Sequence, residues 1–100
     1  MEKTIESISE FRDLYNDEIK SLLDAKEYTY AYLLMVDPAI SLKENWKNIA
    51  PKSHFTIILA QAAYNLSKDL EKYVENPSTT IEKHIIQNKK LLEYIIQKVG

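Results

Sequence analysis

The sequence predicts an all-α protein, an antiparallel up-and-down bundle of four main helices plus one short helix. Apolar residues recur at steps of three and four along nearly the whole chain, which is the spacing of one helix face. Glycine, which tight β-hairpin turns favour, occurs only at Gly100. Because 100 residues is the usual size of one domain, we expect a single helical-bundle domain over residues 1–100.

The first two segments are predicted from their apolar residues and their boundaries. Ser7 followed by Glu10 is a capping-box pattern, so the first helix can begin there. Residues 26–36 form an almost wholly apolar second segment. Asp37-Pro38 is expected to end that segment, because the residue before a proline avoids the α region. The inward stripe of the first helix comprises Ile5, Ile8, Phe11, Tyr15, Ile19 and Leu22.

Capping patterns and prolines also delimit the later helices. Ser41 with Glu44 predicts the start of the short helix. Ser53 can cap a long fourth helix, and Thr79 with Glu82 predicts the start of the last one. Further breaks are expected at the residues before the other two prolines, Ala50 and Asn76. The predicted inward stripes are Leu42, Trp46 and Ile49 in the short helix, Phe55, Leu59, Ala62, Leu66, Leu70 and Tyr73 in the fourth, and Ile81, Ile85, Asn88, Leu92, Ile95 and Val99 in the last.

Two local features leave alternatives open. Tyr28, Tyr30 and Tyr32 alternate with small residues as in a β-strand, and residues 55–59 could supply a partner strand in an α+β arrangement. The helical interpretation is preferred because an isolated two-stranded ribbon is marginally stable at best. Asn88 interrupts the apolar seam of the last helix, where it either fixes the helix register or lies at the rim of the core.

Composition and charge exclude several classes of function. The chain has no cysteine, which removes disulfides, thiol nucleophiles and thiolate metal sites. Phosphate-binding loops and dinucleotide-binding folds need glycines where the backbone approaches the ligand, and a single glycine at the last position does not supply them. The net charge is −2 and Arg12 is the one arginine among 13 basic residues, so no nucleic-acid partner is expected.

The apolar stretches are too short to predict a membrane span. The longest, residues 28–36 and 55–64, have about half of the ~20 residues that a spanning helix needs. The first residues carry acidic side chains and no apolar run of the signal-peptide type. Together with the absence of cysteine, these features predict a cytoplasmic protein.

The titratable residues predict no catalytic, metal or cofactor site. His54 and His84 each lack a carboxylate or a second histidine three or four residues away, so metal binding and histidine acid–base chemistry have no partner groups at helical spacing. The protein is therefore not expected to be an enzyme. A row of carboxylates opposite the apolar stripe of the first helix is expected to be a solvated face, and it comprises Glu6, Glu10, Asp13 and Asp17.

Excess apolar surface is the strongest indication of function. A helix over residues 26–36 places Tyr28 and Met35 on one face and further large apolar residues on the opposite face. The fourth helix has a similar excess opposite its inward stripe, at Ile57, Ala60 and Tyr64. These two back faces either bury one another or contact another chain. The residues predicted to bind a partner are Tyr30, Leu33, Leu34, Ile57 and Tyr64.

The predicted function is a non-enzymatic protein-binding module, such as a small regulator, an adaptor or a neutralising factor of the immunity type. Its partner is expected to be another protein or a second copy of the chain. Small size and an acidic helical bundle resemble the immunity proteins that protect bacteriocin producers, but no motif carries this similarity and it assigns no family.

Two rival functions are also open. The first is a carrier of an apolar ligand, held in a cavity lined by the tyrosines, Trp46 and Met35. The second is a nucleic-acid accessory protein that uses the lysine-rich last helix, whose lysines are Lys83, Lys89, Lys90 and Lys98.

Overall fold

The computed structural model of the chain describes residues 7–49 and 54–99, with side chains described for residues 7–46 and 56–98. In chain order the elements are α1 (Ile8–Leu14), a π-helical turn (Tyr15–Ile19), α2 (Lys20–Asp24), α3 (Tyr28–Ile49), α4 (His54–Glu75) and α5 (Thr79–Val99). The first three follow one another directly and form a single rod, called the N-terminal helix below.

The all-α prediction is confirmed, since four helices pack against each other and no strand occurs in the two described ranges. The α+β alternative for residues 28–36 is therefore wrong. Each helix packs beside the next along the chain. Interhelical contacts run in opposite directions along α3 and α4, with Tyr32 bonded to Glu71 and Lys43 placed over Tyr64, so this pair is antiparallel. The single domain over residues 1–100 stays a prediction.

The N-terminal helix begins where the capping box predicts, because the Ser7 hydroxyl accepts a hydrogen bond of 3.1 Å from the backbone N–H of Glu10. Its π-helical turn contains an i→i+5 hydrogen bond and therefore holds more residues per turn than an α-helix. Residues at four-residue steps consequently stay on the side of the core. These buried residues are Phe11, Tyr15, Ile19 and Leu23, while Ile5 of the predicted stripe lies outside the described residues.

The junction between the N-terminal helix and α3 uses a left-handed residue that is not glycine. Lys26 has a φ of 60°, which costs a side-chain-bearing residue about 1 kcal/mol. The turn provides hydrogen bonds for carbonyl groups in the last turn of the helix. The backbone N–H of Lys26 donates to the carbonyl oxygen of Leu23 at 3.1 Å, and that of Glu27 donates to the carbonyl oxygen of Leu22 at 2.8 Å. This pair of bonds is a Schellman motif, and it ends the helix although no glycine is present there.

The predicted stop at Asp37-Pro38 is wrong. α3 continues through Pro38, and the predicted short helix is the second half of α3, so Ser41 lies in the helix interior instead of at a cap. A proline inside a helix costs about 3 kcal/mol relative to alanine. Apolar residues buried before and after Pro38 offset this cost, because the two halves of α3 share one face that packs in the core. Its buried residues are Tyr28, Ala31, Met35, Ala39 and Leu42.

The start of α5 differs by one residue from the prediction. The predicted break at Asn76 is confirmed, since α4 ends at Glu75. The cap of α5 is Ser78, whose hydroxyl accepts a hydrogen bond of 3.1 Å from the N–H of Ile81, and Thr79 is already helical. The predicted break at Ala50 and the predicted cap at Ser53 lie outside the described residues.

The predicted inward stripes of α4 and α5 form the core together with α3 and the N-terminal helix. Asn88 lies half-buried on the α5 seam, and its amide donates to the carboxylate of Asp69 on α4. It therefore links two helices at the edge of the core. The buried members of the two predicted stripes are Leu59, Ala62, Leu66 and Leu70 on α4 and Ile85, Leu92 and Ile95 on α5.

Candidate protein-docking surface

Large apolar side chains are exposed along the solvent side of α3. Tyr30 and Leu33 each have 61% of their surface exposed, and Leu34 and Ile40 each have 39%. These four side chains are exposed because they lie on the side of α3 opposite to its buried face. We call these four residues (Tyr30, Leu33, Leu34 and Ile40) the α3 outer face.

Among the residues whose side chains are described, the charged groups along the α3 outer face are acidic. Asp37 and Glu44 are exposed and lie seven and 14 residues after Tyr30, so all three occupy one row of the helix. Lys43 points elsewhere, since its ammonium nitrogen lies 3.6 Å from the centre of the Tyr64 ring on α4. The surface therefore combines apolar side chains with carboxylates.

Tyr64 and Ile57 extend this surface onto α4. Ile57 is 42% exposed and precedes Tyr64 by seven residues, so the two share one face of the helix. Tyr64 is half-buried beneath two cations, Lys43 and Lys68, the second at 5.4 Å from the ring centre. The charge of Glu71 raises the pKa of Lys68. An open groove of about 430 Å³ joins the two helices here, lined by Ile40, Lys43, Glu44, Tyr64 and Lys68.

The structure brings together only part of the predicted partner-binding set. Tyr30, Leu33 and Leu34 are adjacent on α3. Tyr64 lies on α4 and lines the groove between the two helices together with Ile40. Ile57 lies about 10 Å further along α4 than Tyr64. The predicted residues therefore form an elongated surface whose compact part is on α3.

The predicted alternative that the two back faces bury one another is wrong for the described residues, since Tyr30, Leu33, Leu34 and Ile57 are exposed. Ala60, also predicted on the α4 back face, is 2% exposed and belongs to the core. The reason is that α4 packs against both α3 and α5, so its buried face is wider than one stripe.

Sequence reasoning missed Ile40 because the predicted stop at Pro38 separated it from the rest of α3. Once α3 is continuous, Ile40 lies seven residues after Leu33 and so on the same face. Exposed apolar residues on other surfaces were also missed. They are Ile58 and Val74 on α4 and Ile86, Leu91 and Tyr94 on α5.

Three other tyrosines point inward and donate hydrogen bonds to glutamates on different helices. The distances are 2.7 Å from Tyr15 to Glu93, 3.0 Å from Tyr28 to Glu82 and 3.1 Å from Tyr32 to Glu71. Each glutamate also pairs with a lysine, and these lysines are Lys89, Lys26 and Lys68.

These contacts shift the pKa values of the three inward-pointing tyrosines. Burial, followed by the hydrogen bond to Glu82, raises the pKa of Tyr28 to about 12. The same two causes, with Glu93 and Glu71 as the acceptors, raise the pKa of Tyr15 and of Tyr32. The neutral hydroxyl is therefore the stable form of each, because a phenolate would lose the bond and face a carboxylate.

The acidic row and the histidines give no metal-binding geometry among the described residues. Asp13 and Asp17 are exposed, as the prediction of a solvated face requires, and Glu6 lies outside the described residues. His84 is exposed, and the side chain of His54 is not among those described. The described ranges contain no group of three or more histidine or carboxylate side chains placed to hold a metal ion.

Comparisons with known proteins were made by family, by sequence and by structure. No family model, curated protein or solved structure matches this chain. Among the described helices, none combines the length and the apolar character that crossing a membrane requires. The assignment of function therefore depends on the surfaces and contacts described above.

Proposed function

We propose that this protein is a non-enzymatic protein-binding module, a small regulator, adaptor or neutralising factor that docks on another protein chain through the α3 outer face. The observation that carries the proposal is the exposure of Tyr30, Leu33 and Leu34 side by side on one helix. Tyrosine is enriched among the residues that dominate binding energy at interfaces. A cytoplasmic location is part of the proposal and is supported by the absence of cysteine.

Burial of this face supplies the driving force for docking. Full burial of one leucine side chain contributes about 1.5–3 kcal/mol relative to exposure, and Leu33 and Tyr30 each leave more than half of their surface open. The exposed carboxylate of Asp37 lies between Leu34 and Ile40, and that of Glu44 lies beyond Ile40. Apolar side chains mixed with polar groups are the usual composition of a protein–protein interface.

The side-chain contacts support the two rival functions, nucleic-acid binding by α5 and transport of an apolar ligand, less well. Lys89, in the middle of the lysine-rich helix, is only 17% exposed and is paired with Asp24 at 2.9 Å and Glu93 at 2.8 Å. Its positive charge is thus neutralised within the bundle. Of the residues expected to line a ligand cavity, Met35 is fully buried in the core and Tyr28 packs edge-on against Tyr73, with ring centres 4.8 Å apart.

Glutamate substitutions on the α3 outer face test the proposal. We expect Tyr30→Glu and Leu34→Glu to abolish binding to the partner chain, because a charge at the centre of an apolar contact must be desolvated. Both positions are exposed, so helicity by circular dichroism and the urea midpoint should change little. Binding is measured as molar mass by sedimentation equilibrium, alone and with any protein purified by capture on the wild-type chain.

Tyr94→Glu on α5 is the matched control, since Tyr94 is 58% exposed and Tyr30 is 61% exposed. The control should bind like the wild type. The proposal is wrong if the α3 variants unfold, because these residues then belong to the core, or if they bind as well as Tyr94→Glu.

A further inference from the structure

We infer that the chain docked on the α3 outer face is a second copy of this protein, with its α3 antiparallel and a two-fold axis between Leu33 and Leu34. This inference rests on the proposed function and adds the identity of the partner. A two-fold interface requires a surface that is complementary to itself, so that each contact occurs twice. The order of residues along α3 meets this requirement.

The central part of the α3 outer face, from Tyr30 to Asp37, is symmetric about the midpoint between Leu33 and Leu34, whereas Ile40 is level with the partner's Glu27. Tyr30 lies three residues before Leu33, and Asp37 lies three residues after Leu34. In an antiparallel pair, Leu33 is therefore level with the partner's Leu34, and Tyr30 is level with the partner's Asp37. Both leucines are exposed, at 61% and 39%, and become the apolar centre of the contact.

The contact between Tyr30 and the partner's Asp37 repeats a pairing that this chain uses internally. Three tyrosine hydroxyls donate to carboxylates on other helices, at 2.7 to 3.1 Å. Hydrogen bonds to an ionised acceptor are stronger than bonds between neutral groups. The two-fold axis gives two such bonds, one on each side of the leucines.

The charge distribution selects the antiparallel orientation. In a parallel pair of α3 helices at equal register, Asp37 would face the partner's Asp37, and Glu44 would face the partner's Glu44. Both side chains are exposed carboxylates, so a parallel contact brings like charges together twice. In the antiparallel arrangement centred on the leucines, Asp37 faces the hydroxyl of the partner's Tyr30 instead of the partner's Asp37.

The dimer is expected to be weak because the face is small. It offers four large side chains on one helix, whereas a standard stable interface has about 20–30 residues on each side. We therefore expect a dissociation constant of about 0.1–1 mM, which a concentration series up to about 1 mM would detect.

A double-mutant cycle measured by sedimentation equilibrium tests the polar contact. We expect Tyr30→Phe and Asp37→Ala each to weaken dimerisation about five-fold, and the double variant to be no weaker than either single variant, since both changes remove the same bond. Leu33→Glu should abolish the dimer, and Leu91→Glu on α5 should leave it unchanged because Leu91 lies on another helix. Independent effects of the two single variants would overturn the Tyr30–Asp37 contact.

The orientation is tested with single cysteines in this cysteine-free chain. At an antiparallel contact, residue 34 lies about 1.5 Å along the axis from its equivalent in the partner, whereas residue 40 lies about 20 Å from its own. Under oxidation Leu34→Cys should therefore form a disulfide dimer much faster than Ile40→Cys. Equal rates would overturn the antiparallel arrangement.

A wild-type chain that stays monomeric up to about 1 mM overturns the inference that the partner is a second copy. The proposed function is then judged separately, by whether a captured protein loses binding to Tyr30→Glu and Leu34→Glu. The two failures are thus distinguishable.

Discussion

Glu93 accepts two hydrogen bonds at one carboxylate oxygen, from the hydroxyl of Tyr15 at 2.7 Å and from the ammonium of Lys89 at 2.8 Å. Lys89 also reaches Asp24, so the network joins the middle and the C-terminal end of the N-terminal helix to α5. Desolvation lowers the pKa of Lys89, but hydrogen bonds and charges from Glu93 and Asp24 outweigh it, and the pKa is raised overall. The lysine thus remains charged where it is partly buried.

Two neighbouring lysines allow this network to be tested. Lys89→Ala should lower the free energy of unfolding by about 1–2 kcal/mol, because two carboxylates lose their partner and Glu93 is only 24% exposed. Lys90→Ala, at an exposed position of the same helix, should change it by less than about 0.5 kcal/mol. Urea denaturation at pH 7 measures both. Equal effects would show that the network adds nothing to stability.

Sequence spacing could place the tyrosines of these networks but not their partners. Tyr15 was predicted in the inward stripe of the first helix, and Tyr28 was placed on one face with Met35, from the helical period alone. Their acceptors, Glu93 and Glu82, are 78 and 54 residues away in sequence. A pattern with a period of three to four residues carries no information over such separations, because the pairing depends on which helices become neighbours.

α3 shows how packing can override a local signal. Pro38 removes one backbone N–H and disfavours the α region at Asp37, which is why a stop was predicted there. The helix nevertheless continues, since Met35 before the proline and Leu42 after it are both fully buried in the same core. The continuity places Ile40 beside Leu33 and so lengthens the α3 outer face.

Replacing Pro38 should therefore stabilise the bundle. Pro38→Ala removes a cost of about 3 kcal/mol for a proline inside a helix and loses about 1.6 kcal/mol because the buried ring is removed, which leaves a gain of about 1.4 kcal/mol. Pro77→Ala, in the turn before α5, should give no gain, because Pro77 is outside a helix. Urea midpoints of the two variants provide the comparison. A loss for Pro38→Ala would mean that the ring shapes the core.

Hydrogen bonds from the three inward-pointing tyrosines connect the whole bundle. Tyr15 joins the N-terminal helix to α5, Tyr28 joins α3 to α5, and Tyr32 joins α3 to α4. Every helix therefore takes part in at least one of these bonds. Since all three hydroxyls must be neutral to donate, the stability of the entire molecule is linked to their ionisation.

The bundle is accordingly expected to lose stability at alkaline pH. A pKa of about 12 for Tyr28 in the folded state exceeds the value of about 10 in an unfolded chain. The stabilising contribution is complete below pH 10 and is lost as the pH rises from about 10 to about 12. Urea denaturation at pH 8 and pH 11 should show this loss, and Tyr28→Phe should reduce it by about 1 kcal/mol. Parallel pH profiles for the two proteins would contradict the linkage.

The sequence alone determined the fold class, the cap at Ser7, the main inward stripes of the helices and the placement of Tyr30, Leu33 and Leu34 together on one face of α3. These follow from residue spacing and capping chemistry, which act over one or two turns of helix. Only the tertiary structure decided that α3 passes through Pro38, that Tyr30, Leu33 and Leu34 are exposed, that Lys43 covers Tyr64 and that Tyr15, Tyr28 and Tyr32 meet glutamates. Those features depend on contacts between distant segments, whose burial outweighs local preference once the helices pack.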